Sequence, residues 1–280
     1  MRGFTFLSGI KKEYLLLVGL IIVVLFVFVT IFSSFITPYD PIEYRDAPRL
    51  EPPSWAHPMG TDHLHRDVFS RALCGGKIPL EVAALSAIFA LFLGAGFGMI
   101  SGYFGGTLDR VISLIMDAIY SFPGLILAMA LVLVMGKGVM NMVFAIAVVY
   151  IPTYFRVVRG KVMQLREEQY VEAAKALGAS DTSVMCTYIA PNTLGSIMAV
   201  LPFNIADAIL TEAALAFLGF AVNPIMPDWG LDIQIGRGFM LSGNWWLITF
   251  PGLMIVFVVL GFGMLGEGLS DYLAPKGGGG

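Results

Sequence analysis

The sequence predicts an all-α polytopic membrane protein with six transmembrane helices. Three observations carry that prediction. Hydrophobic residues make up 57% of the 280 positions and charged residues only 13%, a balance that ordinary soluble domains do not reach. Apolar stretches long enough to cross about 30 Å of hydrocarbon recur six times, near residues 14–36, 80–101, 112–135, 139–159, 193–221 and 245–268. Between the fourth and fifth lies a polar, helix-prone island within residues 160–192. The net charge of −3 decides little, because charge in membrane proteins acts by side rather than in total. No nucleic-acid partner is expected.

Residues 1–36 supply a short tail and the first span. The span is too long for a cleaved signal peptide and lacks a small-x-small cleavage site, so it is expected to remain as an anchor. Arg2, Lys11 and Lys12 precede it, which places the N-terminus in the cytoplasm. The 37–78 segment then falls outside. Thr37-Pro-Tyr-Asp-Pro41 and Glu51-Pro-Pro53 exclude helix over much of it. Near its end Asp62 is expected to cap a short helix lying flat on the membrane, with Val68, Phe69, Ala72 and Leu73 on one face. Cys74 and Cys186 fall on opposite sides of the bilayer, so a disulfide between them is not expected, and neither has metal-site spacing.

Residues 79–272 hold the other five spans. Glycines at 94, 98, 102 and 106, and again at 261, 263, 266 and 268, suit close helix packing. The third span carries Asp117, then Ser121 and Phe122-Pro123-Gly124, where proline and glycine free backbone carbonyls and kink the helix. Arg156, Arg159, Lys161, Arg166 and Lys175 follow the fourth span and place the next loop in the cytoplasm. Both charge signals agree with cytoplasmic N- and C-termini. Five basic residues in 37–78 point the other way, but long loops obey the tendency poorly. In the fifth span Asn204, Asp207 and Thr211 follow Pro202 and fall within about 60° on a helical wheel, with Glu212 about 80° beyond Asn204. Ionisable groups at mid-span cost about 2.5–3.5 kcal/mol each, so they are expected to face a bundle interior or an aqueous path. Asp117, Pro123, Asn204, Asp207, Thr211 and Glu212 are therefore candidates for a translocation path. The rival reading is hydrogen bonding to a partner helix, and for Glu212 packing is favoured. Residues 273–280 form a tail in which Gly277–Gly280 reads as a linker.

The polar island runs Glu168-Gln-Tyr170-Val-Glu172-Ala173-Ala174-Lys-Ala-Leu177-Gly178 and closes with Ile189-Ala-Pro191. Ala, Leu and Glu favour helix and Gly178 supplies a stop. Tyr170, Ala173, Ala174 and Leu177 are spaced to give one small apolar face for a partner. The pattern resembles the EAA loop of binding-protein-dependent ABC importer permeases, with Ala190 where that family usually has Leu. The resemblance implies that the loop is cytoplasmic and docks into a groove on an ATPase, through Tyr170, Glu172, Ala173, Ala174, Leu177, Gly178 and Pro191.

Further stretches extend the likeness over nearly the whole chain. Gly60–Leu73, Glu212-Ala-Ala-Leu-Ala-Phe-Leu-Gly219, Pro227-Asp-Trp-Gly230, Trp245-Trp246, Phe250-Pro-Gly252 and Gly266–Pro275 are similar to the second, C-type permease of the dipeptide, oligopeptide and nickel importers. His65 stands where those permeases usually have Gly. The resemblance implies a type I importer (MetI-like) fold. It also implies as partners a homologous second permease, two cytosolic ABC ATPases, an extracytoplasmic solute-binding protein and the lipid bilayer.

Catalytic motifs are missing. Cys74-Gly-Gly-Lys77 lacks the upstream Gly and the Ser or Thr of a phosphate-binding loop, and neither a Gly-x-Ser-x-Gly elbow nor a His-Glu-x-x-His pair occurs. The chain is thus not expected to be an enzyme or to hold a cofactor, and ATP and magnesium belong on partner subunits. His57, His63 and His65, with Asp62 and Asp67, are read as a solvated turn rather than a metal site. The expected function is ATP-driven import of short peptides, with nickel or metal chelates, glutathione-like compounds and sugars as alternatives. A self-contained secondary transporter would need its own coupling-ion site and usually inverted repeats, and no such repeat is visible. A membrane enzyme using the acids or histidines is the remaining class.

Overall fold

The computed structural model describes residues 2–43 and 47–273, with side chains from Glu13 onward. Of the tail expected at 273–280, Leu273 ends the last helix, and residues 274–280 and the side chains of Arg2, Lys11 and Lys12 lie outside the described residues.

Long apolar runs leave the backbone no partner but itself, and helices result. They are α1 (Arg2–Ile36), α2 (Val68–Cys74), α3 (Lys77–Phe104), α4 (Gly106–Tyr120), α5 (Gly124–Met135) and α6 (Val139–Leu165). After these come α7 (Gln169–Ala176), a single turn α8 (Asp181–Ser183), α9 (Ala190–Leu215), α10 (Trp229–Gly236) and α11 (Trp246–Leu273). Among the described residues, the one strand-like pairing is an isolated bridge between Thr61 and Asp67. Five helical stretches, those containing α1, α3, α6, α9 and α11, are each long and apolar enough to span a bilayer. The third expected span is broken: α4 and α5 meet at 91°. Ser121, Phe122 and Pro123 form the elbow, where proline cannot donate the next helical hydrogen bond. The fourth span is longer than expected, since α6 runs on to Leu165.

α3 lies along α6, α1 along α11, and α9 fills the space between α3, α6 and α11. The glycine rows explain two of these contacts. A Cβ at Gly98 or Gly102 would press on the carbonyl oxygens of Phe155 or Arg159, 2.7 and 2.8 Å away, so α3 meets the α6 backbone directly. Gly261 and Gly268 do the same for α11 against Ile22 and Leu16 of α1.

The bundle has two distinct ends. At one, residues 166–189 fold into a loop packed on the ends of α3, α6 and α9. At the other, the 47–67 segment, α2 and α10 form a cap. Trp229 Nε1 donates to the Ala72 carbonyl at 2.8 Å and Trp246 Nε1 to the Thr61 carbonyl at 3.1 Å. Arg71 pairs with Asp232 at 2.5 Å and donates to the Pro41 carbonyl at 3.0 Å.

The cap corrects one expectation. α2 is capped by Asp67, whose Oδ2 accepts from Ser70 N at 2.7 Å, and not by Asp62. Asp62 is taken up one turn earlier, accepting from Leu64 N and Arg66 N and pairing with Arg66 Nε at 2.7 Å. Nor does α2 present a lipid-facing side of Val68 and Ala72, because both are buried in the cap.

Candidate functional site

The loop at 166–189 is ordered by local chemistry. α7 ends in a Schellman turn: Gly178 N donates to the Lys175 carbonyl at 2.9 Å and Ala179 N to the Ala174 carbonyl at 3.0 Å. The turn needs a left-handed residue, and Gly178 has φ +86°. Ser180 then caps α8, its Oγ accepting from Ser183 N at 3.3 Å. A widened turn over Val184–Ile189 leads into α9, where Pro191 occupies the first turn and its missing N–H costs nothing.

The loop is anchored as well as ordered. Val171, Val184 and Ile189 join Tyr103 of α3, Val158, Val162 and Leu165 of α6 and Ile197 of α9 in one buried cluster. Tyr103 Oη donates to Asp181 at 2.5 Å, and the Lys175 ammonium sits 4.7 Å above the Tyr103 ring. Arg166 donates to the Gly102 carbonyl at 3.1 Å.

This anchoring revises the expected apolar face. Ala174 is 6% exposed and points inward beside Val171, because the two share the flank of α7 that meets the cluster. What stands outward is Tyr170, Glu172, Ala173 and Leu177, the last 89% exposed. Gly178 has open space around its α-carbon. The exposed apolar patch on α7 is thus Tyr170, Ala173 and Leu177, with Glu172 beside it.

The residues expected to line a path do not form one face. Asp117 lies on α4, largely exposed, paired with Arg156 of α6 at 2.8 Å, and the Arg156 guanidinium also covers the Tyr120 ring at 3.9 Å. Pro123 is the elbow itself. Asp207 is exposed and Thr211 half-buried, and Tyr150 of α6 reaches both, with its hydroxyl 3.0 Å from Thr211 Oγ1. Asn204 and Glu212 are turned into the chain. Glu212 is fully buried against Asp228 at the start of α10, so helical-wheel proximity to Asp207 does not bring it to the same surface.

The sequence reading missed two charged groups that organise this region. Asp109 of α4 takes both arms of Arg159, at 2.5 and 2.7 Å, and accepts from the Ser101 hydroxyl. Asp228 is buried, and burial pushes its carboxyl up to about 6. Asp109 lies in no stretch singled out above, and Asp228 stands within Pro227-Asp-Trp-Gly230, which carried the resemblance but no role for that residue. The three histidines are engaged separately: His57 bonds Asp67 at 2.9 Å, His65 bonds the Ala47 carbonyl at 2.6 Å, and His63 stacks on Phe239. His65 has φ +62°, so it adopts the left-handed turn in which glycine is the usual residue.

Comparison with known proteins agrees with this architecture. Residues 94–277 match the family described as binding-protein-dependent transport system inner membrane component, and residues 6–53 match the N-terminal transmembrane domain of oligopeptide transport permease C. The dipeptide transport system permease protein DppC of Alkalihalophilus pseudofirmus is 40% identical over 267 residues, covering 95% of this chain and 88% of that one. The glutathione transport system permease protein GsiD of Pectobacterium atrosepticum is 37% identical over 266 residues, with the same coverage. Among solved structures, an inward-facing form of the MetNI methionine ABC transporter matches with a TM-score of 0.60 over 74% of this chain and 97% of that one. At 17% identity that likeness is one of fold.

Proposed function

The chain belongs to the binding-protein-dependent transport system inner membrane components, as a permease subunit of an ATP-driven importer, and on that premise we propose that its cargo is short peptides. It is a multi-pass membrane protein whose machine includes ATPase and binding-protein partners in general. In the finer reading, it pairs with one homologous permease, two cytosolic ATPases and one extracytoplasmic binding protein. Both termini are cytoplasmic, so the 166–189 loop faces the ATPases and the cap faces the binding protein. ATP and magnesium are held by the ATPases, and this chain performs no catalysis.

The observation that carries the proposal is the outward patch of Tyr170, Ala173 and Leu177 on a helix fixed to α3, α6 and α9. A surface helix anchored to three spans can pass a push to all of them, whereas a loose loop absorbs it. ATP-driven closure of the ATPases moves α7, and α3, α6 and α9 move with it, switching the path between the two sides. Asp117, Asp207 and Thr211, with the Pro123 elbow, are the polar positions proposed to contribute to that path, from separate surfaces of α4 and α9. The dipeptide permease at 40% identity supports peptides as cargo, and the glutathione permease at 37% names the nearest rival.

Reconstitution of the whole importer in proteoliposomes tests this. Labelled dipeptide is expected to accumulate only with internal ATP, and unlabelled dipeptide is expected to compete better than glutathione. Uptake of glutathione in preference to dipeptides would replace the cargo, and uptake without ATPases would replace the machine.

A further inference from the structure

Two acidic side chains meet where α9 passes under the cap, and no cation lies between them among the described residues. Glu212 is fully buried and neither of its carboxyl oxygens has a hydrogen-bond partner. Asp228 is buried too. Its Oδ1 accepts from Leu231 N at 3.1 Å, capping α10, while Oδ2 is left without a partner. The two side chains are within hydrogen-bonding reach of each other. Three buried oxygens without a protein partner are incompatible with two ionised carboxylates, since each unpaired buried polar group costs on the order of 1–3 kcal/mol and a bare charge much more. One proton removes the conflict by making an O–H···O⁻ bond, among the stronger hydrogen bonds available to side chains.

The pair joins two elements that already touch. A Cβ at Gly230 would overlap the Ala213 carbonyl oxygen, so the α10 backbone rests on that of α9. From Asp228 the connection continues along α10 to Asp232, then through its ion pair to Arg71, which holds α2 and the Pro41 carbonyl. At its other end α9 grows directly out of the 184–189 turn of the loop. One rod therefore runs from the loop to the cap, and the carboxyl pair is its upper joint.

We infer that Glu212 and Asp228 hold one proton between them and act as positioning residues, fastening the cap to α9 so that loop motion reaches the binding-protein side. This rests on the importer reading above.

The charges that bear on the joint are few. Asp228 feels Asp232 from its own helix. Asp232 faces Arg71 of α2 and, farther off, Arg66 and Asp62 of the cap. From α6, Tyr150 is directed to Thr211 and Asp207 instead. Lys77 of α3 is bonded to Ser34. Among the described residues no basic side chain pairs with Glu212 or with Asp228 Oδ2, which leaves the proton as the compensating charge.

The pH dependence follows in sign. An unfolded chain ionises both carboxyls above roughly pH 5, whereas the folded joint keeps a proton. The folded state therefore binds more protons, and stability falls as pH rises.

Two measurements test the inference. The first is thermal unfolding of the full chain in detergent across neutral to alkaline pH. Wild type is expected to lose stability as pH rises, and Glu212→Gln, whose amide donates to Asp228 at any pH, is expected to lose much less. The second is ATP hydrolysis by the whole reconstituted importer, with and without binding protein. Stimulation by the binding protein is expected to fall on the alkaline side, by up to about tenfold per pH unit once the proton leaves. Glu212→Gln is expected to flatten that fall, and Glu212→Ala to remove stimulation while ATPases still co-purify. Identical pH profiles for wild type and Glu212→Gln in unfolding would overturn the shared proton. A flattened unfolding profile with Glu212→Ala as well stimulated as wild type would overturn the positioning role. Absence of ATP-driven uptake in wild type would instead strike the importer reading and leave the proton result standing.

Discussion

Gly178 shows how much a single backbone angle decides. Its φ of +86° lets the Schellman turn close α7, and a side chain there meets no neighbour within 4 Å. Replacement by alanine therefore costs only the left-handed backbone, about 1–2 kcal/mol. Replacement by aspartate adds a charge beside Tyr170, Ala173 and Leu177. Gly178→Asp is expected to insert in the membrane at wild-type level yet abolish uptake, and immunoblotting of membranes beside a transport assay checks both halves. Gly230 is the opposite kind of glycine, required for space. Gly230→Ala forces α10 off α9 and is expected to cost about 1–3 kcal/mol, as overpacking usually does, seen as a lower unfolding temperature. At this scale the sequence was legible where residue type and conformation coincide, as at Gly178. It was not legible at Asp62 and Asp67, two potential caps five residues apart, because residue type is the same at both and Asp62 is taken up by its neighbours Leu64 and Arg66 instead of by α2.

Among the elements, α7 and α4 differ in how far periodicity could foretell them. Spacing alone gave the apolar side of α7, but not that Ala174 and Val171 would be used inward, since an amphipathic helix can bury either edge of its stripe. α4 was foretold to kink by the Pro123-Gly124 pair, and what the sequence did not foretell is the size of the kink, a turn of 91° at the elbow. Its charges explain why it can leave the apolar path: Asp109 and Asp117 face Arg159 and Arg156 on α6. Asp109→Ala leaves Arg159 without its main partner and is expected to cost about 1.5–3 kcal/mol, the range for hydrogen bonds to charged groups. The check is a melting curve in detergent, and Asp117→Ala, at an exposed pair, is expected to shift it far less.

Over the whole molecule, composition and six apolar stretches were enough to give the helical membrane class, and the polar island marked the loop that forms one end of the bundle. The cap was not legible, because Trp229, Trp246, Arg71 and Asp232 meet across more than a hundred and fifty positions of sequence. Nor was the buried Glu212–Asp228 joint, since a wheel drawn on one helix cannot see the element that covers it. The central claim is that the outward patch on α7 is where the ATPases attach and from which their motion enters the spans. The most direct measurement is co-purification of the importer in gentle detergent from membranes carrying either wild type or Leu177→Asp, with partners identified by mass spectrometry. Wild type is expected to bring down a second permease and the ATPases, and Leu177→Asp to keep the permease while losing the ATPases. Full recovery of ATPases with Leu177→Asp, together with normal uptake, would contradict the account.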